Sequence, residues 1–161
     1  MPIKVKVAKA HEHMLEDPEI RQELESVDKV INGADIEYTE DAVNFVFLQG
    51  SYDHIERYME TVCLFVNKLD KPIIELYGDV ILGFNSVQAQ AATATVEFDE
   101  EFLGTIDRDE ALLVHINIPV KGLKANRIFE SDEVFGSFEN VRVTFPIFGG
   151  DDDAAESVEE Q

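Results

Sequence analysis

Ser51–Leu69, SYDHIERYMETVCLFVNKL, is the stretch on which the reading of this chain turns. Ile55, Tyr58, Met59, Val62, Val66 and Leu69 recur at intervals of three and four, which is one stripe of an α-helix. Ser51 is placed to cap that helix, and Asp53 puts negative charge in its first turn. Asp70-Lys71-Pro72 stops it, because proline disfavours a helical residue before it. Apolar hairpins flank it in sequence, so the pattern predicts a central helix lying on a sheet.

Working outward, Pro2–Lys9 alternates. Ile3, Val5 and Val7 face one way and Lys4, Lys6 and Lys9 the other, as in a half-buried edge strand. His11 to Asp17 reads as a polar connector. Asp17-Pro18-Glu19 starts a helix, with Asp as N-cap and Pro at the first helical position. Ile20, Leu24, Val27 and Ile31 form its stripe, and Gly33 ends it. Ala34–Thr39 and Ala42–Leu48 read as two strands about a Glu40-Asp41 turn. Ile73–Phe84 reads as a hairpin with Gly78-Asp79 as a two-residue turn. Val87–Phe98 is a bland run of small residues, read as a strand against a closely approaching partner or as a flat edge. Asp99–Glu110 is an acidic connector. Ala111–Val120 is a strand with His115 and Asn117 on one side and Pro119 at its end. Val141–Phe148 alternates with Val141, Val143, Phe145 and Ile147 inward, and Pro146 marks an edge or a strand end. The expected fold is therefore α+β, a mostly antiparallel sheet of about seven to nine strands covered by two amphipathic helices. Residues 1–150 form one domain, and 151–161 are expected to be a disordered acidic tail.

The chain has 161 residues, 45% of them hydrophobic and 11 of them Phe, so it can bury a sizeable core. One cysteine, Cys63, excludes a disulfide framework and fits a reducing compartment. The N-terminus lacks the apolar segment of a signal peptide, and no run approaches the roughly 18 apolar residues of a membrane span. A cytoplasmic protein is expected.

The formal net charge is -21, from 34 acidic and 13 basic residues. It disfavours duplex nucleic acid and anionic membranes as direct partners and favours cationic ones. Residues 12–60 hold 14 of the acids against 3 basic residues, so about half of the net charge sits there. Glu16, Asp17, Glu19, Glu23, Glu25 and Asp28 lie off the first helix's stripe, followed by Asp35, Glu37, Glu40 and Asp41. Crowded carboxylates repel by roughly 0.2–0.5 kcal/mol per neighbouring pair, a cost that folding does not require. Two readings follow. Such a row can imitate duplex phosphates, spaced at about one charge per 1.7 Å of axis, and so occupy the groove of a nucleic-acid-binding enzyme. A phage or mobile-element inhibitor has this character. Alternatively the run is a solvated face that serves solubility. The ten acids are the candidate partner-binding residues.

Other functions are weighed against this one. Phe-rich strands and edges at both ends suit a structural subunit, such as a virion component, that self-associates. An acidic tail beside Lys121, Lys124 and Arg127, with Phe129 and Phe135 as stacking candidates, is the pattern of a single-stranded-nucleic-acid-binding protein. His11 and His13 with Glu16 or Asp17 could grip a zinc ion, but further ligands at suitable spacing are lacking, and none is expected. Cys63 with His54 or His115 could form a nucleophile–base pair, although a cysteine in an apolar run is ordinarily a small buried hydrophobe. There is no GxGxxG, Walker loop, GxSxG or CxxC, so neither cofactor nor catalysis is expected.

Overall fold

Ser51–Leu69 forms most of a β-hairpin in the computed structural model, which describes residues 2–146 and, for the backbone alone, 157–160. One strand, Val43–Asp53, reaches into the stretch, residues 54–57 turn, and Tyr58–Asn67 returns antiparallel to it. The expected central helix is thus corrected. Asp53 does cap backbone N–H groups, but of a turn: its Oδ1 accepts from Ile55 N (2.9 Å) and Glu56 N (3.2 Å), and Arg57 closes the turn at φ 63°. Aspartate does the same chemistry at a helix start and in an Asx turn, so the local signal is shared. Ile55, taken as the start of the apolar stripe, is 87% exposed at the turn. From Cys63 to Val66 every residue is buried, because the strand has neighbours on both edges and covered faces on both sides. A strand in that position loses the two-residue alternation that would distinguish it from a helix.

The elements are β1 (Lys4–Val7), a 3-10 helix (Lys9–Glu16), α1 (Pro18–Gly33), β2 (Val43–Asp53), β3 (Tyr58–Asn67), β4 (Glu75–Phe84), β5 (Gln90–Ala91), β6 (Ala94–Phe98), α2 (Glu100–Leu103), β7 (Glu110–Lys121), β8 (Arg127–Glu130), β9 (Val134–Thr144) and β10 (Ser157–Glu160). They make an α+β fold of two mostly antiparallel sheets. The first has the order β1-β7-β3-β2-β8, with β5 also on β7, and the second β10-β9-β4-β6. β1 pairs parallel with β7, the exception to the antiparallel rule. The sheets face each other across an aromatic core in which Phe65 meets Phe45, Phe98 and Phe138. α1 lies on the opposite face of the first sheet, where Leu24, Val27 and Ile31 pack on Leu64, Val66, Ala111 and Leu113.

α1 begins as its residues dictate: the Asp17 side chain accepts from Glu19 N (2.9 Å) and Pro18 opens the helix. Its far end is held by Asn32, whose amide acts as a strand partner for Ile3. Asn32 Oδ1 accepts from Ile3 N (2.8 Å) and Nδ2 donates to Ile3 O (2.9 Å). An Asn32→Ala chain is expected to lose about 1–3 kcal/mol, since two half-buried backbone groups are left without partners. Denaturant unfolding would read the loss, and amide exchange at Ile3 would place it. Val30→Ala, exposed on the same helix, should change stability by no more than about 0.5 kcal/mol.

Three further expectations are corrected, and the strand reading of Val87–Phe98 is refined into two strands, of which β6 is an edge. Ala34–Thr39 is not a strand; it is coil pinned by Asn44, which receives Thr39 N on Oδ1 (2.8 Å) and donates to Thr39 O (2.9 Å). Gly78-Asp79 is not a turn but lies inside β4, opposite a bulge. Glycine is needed there because a Cβ would stand 2.6 Å from the Phe138 ring. The bland run Val87–Phe98 crosses between sheets, β5 on β7 and β6 on β4. Pro119 does not end its strand, which continues to Lys121. Ile147, Phe148 and most of the expected acidic tail lie outside the described residues.

Candidate functional site

The 3-10 helix and the first turns of α1 meet over residues 113–115 of β7. Between them lies a recess of about 380 Å³. Val7, Met14, Ile20 and Leu113 provide apolar walls, and His11, Glu23 and His115 the polar groups. Alternation along β7 produces this arrangement. Leu113 and His115 share the face that α1 covers, and α1 starts too late to bury His115, which is left 42% exposed at the side chain.

His115 is fixed by carboxylates from two other elements. Its Nε2 lies 3.0 and 3.2 Å from the two oxygens of Glu23 on α1, and its Nδ1 lies 3.3 Å from Glu60 Oε2 on β3. A carboxylate therefore stands at hydrogen-bond distance from each ring nitrogen. His11 is set edge-on against the Phe102 ring at 5.2 Å. Among the described residues no lysine or arginine lines the recess. Met14 stands 39% exposed at its rim.

The ten acids named above are divided by the fold. Glu16, Asp17, Glu19 and Glu23 lie at the start of α1, beside the recess. Glu25 and Asp28 fall on the other flank of the helix, because at 100° per residue they point away from Glu19 and Glu23. Asp35, Glu37, Glu40 and Asp41 follow the far end of α1, about 24 Å from its start at 1.5 Å per residue. Several have local work. Asp17 caps α1, Glu23 holds His115, Asp28 receives Asn32 Nδ2 (3.2 Å), and Glu40 receives Arg108 (2.9 Å). Asp41 occupies a left-handed turn position at φ 57°. Glu16, Glu19, Glu25, Asp35 and Glu37 are exposed.

Other candidates are also placed. His11 and His13 diverge, His11 half-buried in the recess and His13 exposed, as two residues apart on a three-per-turn helix must. Among the described residues no group of three or more His, Cys, Asp and Glu side chains is set to hold a metal ion. Cys63 is fully buried between the sheets, opposite Val114 in the ladder. His115 is on the other face of β7, so the two do not meet. Burial pushes the Cys63 thiol far above its ordinary range, which leaves it un-ionised and inert. Phe129 is core, with the Arg127 guanidinium over its ring and on Glu133 at 2.8 Å, so this pair is not a stacking platform. Phe135 lies on the outer face of the second sheet, over Gly83.

The meeting of His115 with Glu23 and Glu60 had no signal in the sequence. The partners are 92 and 55 residues away. The clue available was weak: His115 follows Ala111 and Leu113 on one face of a strand, where the apolar run gives way to His115 and Asn117. The described residues include no helix long and apolar enough to cross a membrane. No protein-family model matches the chain, and comparison with curated proteins and with solved structures gave no significant match.

Proposed function

We propose that this chain is a non-catalytic binding protein that turns an acidic surface towards a basic protein partner. The supporting observation is where five of its 13 basic residues form ion pairs. Lys4 and Lys6 reach Glu110, Lys68 reaches Asp109, Arg108 reaches Glu40 and Asp109, and Arg127 reaches Glu133. These pairs sit at strand ends and loops, so they neutralise acids that serve the fold. Glu12, Glu16 and Glu19, on the 3-10 helix and at the α1 start, are exposed and belong to none of these pairs. Their field steers a cationic partner and weakens with salt. Inhibition of a nucleic-acid-binding enzyme by phosphate mimicry is the sharpest form of this reading. The division of the ten acids between the two ends of α1 favours a local acidic contact over a continuous phosphate-like row.

Affinity capture at low and high salt, read by mass spectrometry, tests the proposal. The expected result is a basic protein held at low salt and released at high salt. A variant with Glu12, Glu16 and Glu19 changed to Gln should retain it at least ten-fold less and keep its stability, because repulsion is relieved. Equal retention by that variant would refute the reading. A second reading, assembly with copies of itself, is favoured by the outer face of the second sheet, where Ile81 and Phe135 are exposed. A large oligomer at low micromolar concentration would select it.

A further inference from the structure

We propose that the recess at His115 is the anchor point of the basic partner and that it accepts one bulky apolar side chain from a lysine- or arginine-flanked segment. The inference rests on the binding reading above and names the contact. Interfaces take most of their energy from a few buried anchors in pockets, with charged groups at the rim setting orientation and rate. The recess has both parts. Its 380 Å³ lies near the lower end of the roughly 300–1,000 Å³ of ligand sites, room for a side chain or two. Its walls are aliphatic, and Met14 at the lip is the kind of adaptable side chain that suits a variable guest.

Charge complementarity identifies the guest as cationic. Glu23 and Glu60 stand at the recess through their bonds to His115, Glu12 and Glu16 share the 3-10 helix with His11 and Met14, and Glu19 precedes Glu23 by one turn on the same flank. His115 is itself held between two carboxylates, the described lining has no lysine or arginine, and Lys9 and Arg21 on the flanking elements are outnumbered by these carboxylates. The wall is rigid because His115 is tied from two elements and His11 is braced by Phe102. Little ordering cost would therefore oppose binding.

The test uses the full chain and three blocked peptides, Lys-Lys-Phe-Lys-Lys, Lys-Lys-Ala-Lys-Lys and Ser-Ser-Phe-Ser-Ser, with affinities from anisotropy and methyl shifts from NMR. The expected result is that the Lys/Phe peptide binds at least ten-fold more tightly than either other peptide and shifts the Met14 and Ile20 methyls. Ile20→Gln, with its fold checked by the Ile118 methyl in the core, should abolish the preference for Phe over Ala. Equal, salt-sensitive binding of both lysine peptides would overturn the anchor while sparing the acidic-surface reading. Failure of both lysine peptides to bind at low salt would sink the two together. Equal binding of the serine peptide, shifts confined to Ile81 and its surroundings, or Met14 shifts that follow self-association without peptide would each assign the recess to a different occupant and overturn the proposal.

Discussion

Replacing Phe65 by alanine is expected to destabilise the protein by about 3–5 kcal/mol, the usual cost of truncating a buried aromatic. Phe65 is 1% exposed and sits where the two sheets meet. Its ring centroid lies 4.9 Å from that of Phe138 on β9, 5.5 Å from Phe45 on β2 and 5.7 Å from Phe98 on β6. Four strands thus lose contacts at one point. For a chain of this size the midpoint of thermal unfolding should fall by roughly 10 °C or more. Ile55→Ala is the companion measurement. In a helix Ile55 would lead the buried stripe and its loss would cost as much as a core truncation. In the hairpin it is 87% exposed and should change stability by no more than about 0.5 kcal/mol. A large Ile55 effect together with a small Phe65 effect would overturn the hairpin.

A second large effect is expected at the ion pair of Lys68 and Asp109. Lys68 Nζ lies 2.6 Å from Asp109 Oδ1, with the two side chains 10% and 15% exposed, and the ammonium also sits 5.3 Å from the centre of the Tyr38 ring. The backbone fixes both residues. Lys68 N donates to Ala42 O, and Asp109 N donates to Asn67 O. Asp109→Asn removes the charge and keeps a residue that tolerates the φ of 65° at this position. It should cost about 3–5 kcal/mol, because a buried ammonium is left uncompensated. Adding Lys68→Met should recover most of the loss, since the pair removed whole is nearly neutral against apolar packing. Urea unfolding of the three variants measures both steps. A loss below about 1 kcal/mol in Asp109→Asn, with no recovery in the double variant, would show that the pair contributes little.

The comparison of sequence with structure separates two kinds of signal. α1 was legible because its start is written in adjacent residues, Asp17 and Pro18, and its stripe in Ile20, Leu24, Val27 and Ile31. β1 and the inward residues of β9 were legible because one face meets water and the alternation survives. β3 was not, because from Cys63 to Val66 every residue is buried and period-two contrast vanishes. The spacing of Ile55, Tyr58, Met59 and Val62 then matched a helix by chance. Gly78 was misread for a related reason: glycine serves a tight turn and an overlying ring equally well, and the Phe138 that decides between them is 60 positions away.

The site divides in the same way. The excess of carboxylates near the start of α1 can be counted along the chain, and His11 and His115 can be seen in it. Which of those carboxylates serve the fold and which face water is a matter of three-dimensional neighbours. So is the recess itself, which exists because β7 runs on past the end of α1 and the 3-10 helix folds over the gap. Net charge, core composition and the ends of α1 follow from bonds and periodicities spanning a few residues. The pairing of the strands, the meeting of the two sheets and the grip of Glu23 and Glu60 on His115 rest on contacts between residues tens of positions apart. Free energies of that kind belong to the packed chain as a whole, and no short window of sequence contains them.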